Sequence, residues 1–237
     1  MKREAKSKRS EIAPSRGDAP LHASPPAAHA PPAVKRLGRA DYLTTWRAMQ
    51  ELTTNRNDDT PDELWLLEHP PVYTLGMAGK PAHLPRTANG IPLVRIDRGG
   101  QITYHGPGQV VVYLLLDMKR RGLSVRPLVR LMEQAVIDLL ADHGATAIYR
   151  ADAPGVYVNG AKIAALGLRI RRGCCYHGLA LNVAMDLGPF RDINPCGYPG
   201  LDVTQTRELG ITGTPDVLGE QLIQHLTRLL AAPAAAH

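Results

Sequence analysis

The chain has 237 residues and a net charge of +6, a length that supports one substantial core and roughly one or two domains. The basicity is confined to one end, since residues 1–38 carry net +5 and residues 39–237 only +1, so a basic domain face for nucleic acid is unsupported. Three cysteines, Cys174, Cys175 and Cys196, suggest no disulfide framework, and the longest apolar run, Val110 to Leu116, is far short of the ~20 residues of a membrane span. With no secretory signal expected either, the reading is a cytoplasmic protein with no nucleic-acid or membrane partner.

Residues 1–38 are rich in Ala, Pro and Lys/Arg and read as a disordered extension. From Asp41, a plausible helix N-cap, Tyr42, Trp46, Met49 and Leu52 recur at helical spacing, predicting a helix that fades in the polar run 53–61. Glu63 to His69 and Val72 to Leu75 read as short strands broken by Pro70-Pro71, and residues 76–89 as an irregular loop. Leu93 to Asp97 is a further strand, and Gln109 to Leu116 has the continuous apolarity of a strand buried on both faces.

Ser124 opens a long helix with Pro127 in its first turn and Gly144 at its end. After a strand at 146–150, the run from Val156 to Ile163 predicts a hairpin whose Asn159-Gly160 pair favours a type I′ turn, with Val158 facing Ala161 and Tyr157 facing Lys162. Alternation through 166–172 and a buried strand near 178–182 follow. An amphipathic helix from Pro215 to about Leu230 closes a domain spanning 39–231, and residues 232–237 should fray. The fold class is α/β (α+β): a single domain with a mixed β-sheet flanked by helices.

The chemistry concentrates in three places. Arg98, Gly99, Gly100, Gln101, Ile102, Thr103, Tyr104 and His105 run on through Gly106-Pro107-Gly108, joining a tight glycine path to polar side chains directly before the most apolar strand. The loop lacks Gly-Lys-Ser/Thr and opens no helix, so a nucleotide-phosphate cradle is a weak reading. Cys196 stands between Pro195 and Gly197, without apolar neighbours on either side. By itself such a cysteine is more often structural than catalytic. Lys162 sits near a tight turn among small and apolar residues, with an exposed hairpin lysine about equally plausible. A lysine kept from water loses its proton more readily, and one beside a thiol favours the thiolate. No ligand spacing around Cys174, Cys175 and His177 indicates a metal. The residues alone therefore support nucleophilic acyl chemistry in a glycine-lined cleft.

Four separated motifs, Arg98 to Gln109, Gly160 to Gly167, His177 to Asn182 and Asn194-Pro195-Cys196-Gly197, together resemble the octanoyltransferases of lipoate biosynthesis over about residues 39 to 230. The resemblance implies a biotin/lipoate protein ligase-like fold and transfer of an octanoyl group from octanoyl-acyl carrier protein to a lysine of a lipoyl domain. The acceptors it implies are the 2-oxoacid dehydrogenase complexes and the glycine cleavage H protein, and no cofactor or metal is needed. It further implies that Cys196 carries the acyl group as a thioester and that Lys162 lowers the cysteine's pKa. Arg98 to His105, Ala165, Leu166 and Gly167, and Gly178, Leu179 and Ala180 match the family's substrate-binding stretches. The competing expectations are an ATP-dependent lipoate or biotin protein ligase, and a non-catalytic module that binds acyl carrier protein.

Overall fold

Most of the buried surface is organised by one strand, in a computed structural model that describes residues 29–194 and 200–232. Residues 1–28 of the expected extension, Cys196 with its flanking Pro195 and Gly197, and residues 233–237 lie outside the described residues. In chain order the elements are β1 (Ala33–Arg39), α1 (Tyr42–Asn55), β2 (Glu63–Glu68), β3 (Val72–Leu75), β4 (Leu93–Arg95), β5 (Ile102–His105), β6 (Gln109–Asp117), α2 (Val125–Asp142), β7 (Ile148–Tyr149), β8 (Val156–Val158), β9 (Ala161–Arg171), β10 (Cys174–Asn182) and α3 (Pro215–Ala231). They build a seven-stranded sheet in the order β1-β2-β6-β10-β9-β8-β7 and a three-stranded sheet in the order β4-β3-β5. The large sheet is antiparallel except for the β1–β2 pair.

The organising strand is β6, eight of whose nine residues are buried. Successive side chains of a strand point to opposite faces. Accordingly Val110, Val112, Leu114 and Leu116 meet α2 and α3 in the main core. Val111, Tyr113 and Leu115 pack on the other face with Met49 of α1 and Trp65 of β2. A strand buried on both faces shows no alternation, which is why this stretch reads as continuously apolar.

Helix α1 begins as its cap dictates. The Asp41 carboxylate accepts from Thr44 N at 2.8 Å and from the Thr44 hydroxyl at 2.8 Å, satisfying a donor that the first turn leaves unpaired. The β8–β9 hairpin has the expected register, Val158 opposite Ala161 and Tyr157 opposite Lys162. Asn159 and Gly160 both take positive φ, 49° and 86°, as a type I′ turn requires.

The start of the domain needs a correction. Residues 33–38, included in the expected disordered extension, form most of β1, which pairs in parallel with β2 from Ala33↔Glu63 to Arg39↔Glu68. As an edge strand it contributes backbone hydrogen bonds and only Val34 to the core, so its polar composition resembles a solvated tail. Lys35 pairs with Glu63 at 2.8 Å and Arg36 with Glu220 at 2.6 Å.

One ion cluster ties the end of α1 to the far end of β6. Asp62, 5% exposed, accepts from Arg56 at 2.9 Å, from Arg120 at 2.7 Å, from the Asp117 backbone N–H at 2.8 Å and from Arg121 Nε. Burial works to raise its pKa, but the Asp117 and arginine donors outweigh that and hold it below the usual carboxylate range. Removing the carboxylate strands two buried guanidinium groups, so Asp62→Ala should lower the unfolding free energy by about 3–5 kcal/mol in denaturant titration.

Candidate active site

The two sheets meet around a cavity of about 370 Å³. Its walls come from β9 (Ala165, Leu166, Gly167, Leu168), β10 (His177, Gly178, Leu179, Ala180), the loop Arg98 to Gln101 with Ile102, Thr103 and His105, and β6 (Val111, Tyr113). Tyr42 of α1, Val125 and Val129 of α2, and Ala153 and Pro154 complete it. Arg98 to Gln101, Ala165 to Gly167 and Gly178 to Ala180 line this one cavity, with Gly167 and Gly178 directly opposite in the β9–β10 register.

The glycine motif is not one continuous loop, because Ile102 to His105 form the fully buried β5, paired with β3. Strand alternation then divides the motif. Thr103 and His105 face the cavity, while Tyr104 points away and packs against Tyr73 at 5.6 Å and Phe190 at 5.5 Å. Tyr104 is thus the one residue of the Arg98–His105 stretch that does not line the cavity; it belongs to the small core with Met185 and Ile193. Gly106 and Gly108 return the chain into β6. Gly108 has φ of 86°, and a Cβ there would lie 2.2 Å from the Ala184 carbonyl oxygen, so only glycine fits.

Arg98 is 8% exposed and donates from Nη2 to the Thr74 carbonyl at 2.7 Å and the Thr74 hydroxyl at 2.8 Å. Its stem covers Gly167, where a Cβ would come 3.0 Å from Arg98 Cδ. Next to it, Gly99 N–H donates to Leu168 O at 2.9 Å, docking the loop on the β9 edge beyond the last β8 pairing at Ala164.

Asp97, immediately before the motif, was not singled out from the sequence, yet it anchors this wall. Oδ1 accepts from Trp46 Nε1 at 2.8 Å and lies 3.1 Å from His177 Nε2; Oδ2 accepts from Gln50 Nε2 at 3.1 Å and from the Tyr176 hydroxyl. Burial pushes the carboxyl pKa up, but the donors, His177 and Tyr176 foremost, prevail and keep it ionised far below the usual range. A carboxylate ending a strand directly before Arg-Gly-Gly was the signal available in the sequence.

A buried polar row backs the inner end of the cavity. His69 is fully buried, with Nδ1 donating to Ala40 O at 2.7 Å and Nε2 2.8 Å from the Tyr113 hydroxyl. His105 Nδ1 donates to Gln109 Oε1 at 2.7 Å, and Tyr42 stacks on it at 5.8 Å. Burial holds both imidazoles neutral, with pKa lowered to about 4 for His69 and about 3 for His105. This removes His105 as a cation but leaves it a hydrogen-bonding wall residue.

Lys162 is 3% exposed rather than a solvated hairpin lysine. Its Nζ donates to Pro154 O at 3.0 Å, against the cavity wall, and lies 5.2 Å from the Tyr157 ring centroid. Gly155 leaves room for it, since a Cβ there would be 2.9 Å from Lys162 Cε. The Lys162 backbone pairs with the chain that follows Cys196: Lys162 N donates to Asp202 O at 2.8 Å and Thr204 N to Lys162 O at 3.0 Å. Asn194, just before the undescribed segment, is held by Arg86 Nη2 at 2.8 Å. Cys174 and Cys175 are buried and burial raises both thiols, Cys175 to about 12, so neither is a nucleophile at neutral pH. Among the described residues no group of three His, Cys, Asp or Glu could hold a metal, and no helix is long and apolar enough to cross a membrane.

The fold is that of the lipoate and biotin protein ligases. A lipoate-protein ligase A bound with ATP matches with a TM-score of 0.67 at 16% identity, over 85% of this chain and 86% of that one. Biotin protein ligase from Aquifex aeolicus in complex with biotin and ATP matches with 0.55 at 12% identity, over 84% and 70%. Residues 41–227 match the lipoyl protein ligase A/B catalytic domain. In sequence, the octanoyltransferase of Azoarcus sp. (strain BH72) is 63% identical over 210 residues, 88% of this chain and 92% of that one; that of Dechloromonas aromatica (strain RCB) is 64% identical over 200 residues, 84% and 97%. The chain belongs to the octanoyltransferase family, within the lipoyl protein ligase A/B catalytic domains. It is an acyltransferase.

The neutral histidines give a pH signature. Unfolding lets His69 and His105 return toward the ordinary value of 6.5, so below that pH the unfolded state binds protons that the folded state refuses. Stability should therefore fall as pH drops from about 6.5 to about 4, by up to about 1.4 kcal/mol per pH unit for each histidine. Unfolding midpoints measured across this window should show a shallower slope in His69→Gln than in the parent.

Proposed function

We propose that octanoyl transfer in this protein runs from octanoyl-acyl carrier protein to a lysine of lipoyl domains, through a thioester on Cys196. The acceptors are the lipoyl domains of 2-oxoacid dehydrogenase complexes and the glycine cleavage H protein. The observation that carries the reading is Lys162: a buried lysine against the wall of a largely apolar cavity, tied through its backbone to the segment that follows Cys196.

In this scheme Lys162 takes the Cys196 thiol proton and the thiolate attacks the octanoyl thioester carbonyl. The new C–S bond forms, the bond to the carrier's phosphopantetheine sulfur breaks, and that thiolate leaves with the proton from Lys162. The acceptor lysine, as its free amine, then attacks the acyl-enzyme. The amide forms, the bond to Cys196 breaks, and the amine proton passes to the cysteine sulfur through Lys162. Both steps traverse an oxyanion suited to backbone N–H donors. Thioester exchange is close to thermoneutral and amide formation downhill, so ATP is not required. The small residues Ala165 and Gly167, opposite Ala180 and Gly178, leave a slot for a straight methylene chain. Arg98 to Thr103, His105, Ala165 to Gly167 and Gly178 to Ala180 are its walls in this reading, and Tyr104 supports them from behind.

Intact-mass spectrometry after incubation with octanoyl-acyl carrier protein, without ATP, should show one added octanoyl group on the wild type and none on Cys196→Ala. Lys162→Ala should slow that acylation at least about 100-fold, the scale of a lost proton-transfer group. Transfer that depends on ATP, or that survives in Cys196→Ala, overturns the scheme in favour of ligase chemistry.

A further inference from the structure

His177 stands out for its backbone and for its ring. It has φ of 67° within β10, the left-handed region that a non-glycine residue adopts only when its surroundings demand it. The β6 pairing of β10 skips Tyr176 and His177, holding at Cys175↔Leu116 and resuming at Gly178↔Tyr113. The imidazole is 1% exposed and lines the cavity.

Every edge of the ring but one is committed. Nε2 faces Asp97, whose ionised carboxylate can only accept, so Nε2 carries the proton. Tyr176 stacks on the ring at 5.0 Å and Tyr113 meets it edge-on at 6.1 Å. Among the described residues Nδ1 has no hydrogen-bond partner, and with the proton on Nε2 it is an acceptor with a free lone pair. Gln101 Oε1, from the facing wall, is likewise buried without a partner.

The position matters as much as the chemistry. Lys162 is the second residue of β9, and His177 lies opposite Leu168, six residues further along. At about 3.3 Å per residue their Cα atoms are roughly 20 Å apart, a span that the Lys162 side chain shortens by reaching to Pro154 O on the cavity wall. Pro154, which accepts from Lys162 Nζ, is exposed, whereas His177 and the Tyr113 that meets it edge-on are buried. An acyl chain whose carbonyl reacts near Lys162 and that follows the β9–β10 wall of the cavity therefore runs toward His177.

We propose that His177, oriented by Asp97, is a specificity-determining residue that sets the upper limit of acyl-chain length, as a polar floor to a largely apolar slot. The inference rests on the cavity being the acyl pocket of the proposed reaction. Each methylene buried along the walls strengthens binding roughly fourfold. A methylene pressed onto the floor instead displaces whatever donor satisfies Nδ1 and leaves that acceptor stranded, which reverses the gain. The left-handed backbone and the Asp97 contact fix where that reversal falls.

The test measures binding of unreactive S-alkyl pantetheine thioethers, from hexyl to dodecyl, by calorimetry to the full chain as wild type, His177→Leu and His177→Asn. In the wild type affinity should climb with length and then drop. His177→Leu, of comparable bulk but without an acceptor, should lose the drop, so that the two-carbon step across it changes from a loss to a gain of fourfold or more. His177→Asn, polar and tolerant of positive φ, should keep the drop. If His177→Leu does not fold, His177→Gly, which the backbone accommodates, must behave as the apolar variant. An unchanged length profile in the folded apolar variant overturns the proposal. Turnover with octanoyl-acyl carrier protein, measured on the same wild-type preparation, separates the two readings: a length ceiling without turnover defeats the transfer scheme alone, and turnover without a ceiling defeats the polar floor alone.

Discussion

A half-buried carboxylate that draws donors from several directions is the constraint on which the rest of the site depends. Asp97 takes hydrogen bonds from Trp46 and Gln50 on α1 and from Tyr176 and His177 on β10, while its own backbone leads directly into the glycine loop. Withdrawing a carboxylate from water is costly unless its oxygens are saturated, and leaving one donor out would forfeit much of the compensation. The two sheets and α1 therefore hold one mutual placement. Arg98 then extends the same logic by tying the loop to Thr74 on β3, and Gly99 by pairing with Leu168 on β9. The cavity wall is tied by hydrogen bonds at each of these points, and a wall so pre-organised keeps binding energy from being spent on ordering loops.

The elements with strong local signals were legible in the sequence. Helix α2, the Asn159-Gly160 hairpin with its register, and the doubly buried β6 follow from periodicity and turn chemistry. What was not legible was non-local. Strand β1 looks like tail because an edge strand uses its backbone and needs few apolar side chains. The motif from Arg98 to His105 was visible as a functional stretch, but its division into a docked loop and a strand depends on pairing with β3, about thirty residues earlier. That pairing decides that His105 faces the cavity and Tyr104 does not. Asp97 and Tyr113 were hidden for a related reason: each reads as an ordinary strand residue until the element opposite is known. Cys196, the strongest residue of the sequence reading, lies outside the described residues, so its support here comes from what flanks it.

The same fold serves ligases that bind ATP, at 16% identity or below in the two matches described above, so architecture alone does not select the chemistry. What this chain adds is local. Lys162 is buried against Pro154 by a hairpin whose glycine at 155 admits it, and its backbone is laced to residues 202–204. The chain is held at Asn194 by Arg86 and again at Asp202 by Lys162. Lys162, the residue proposed to hold a proton in the reaction, is thus itself fixed through both its side chain and its backbone.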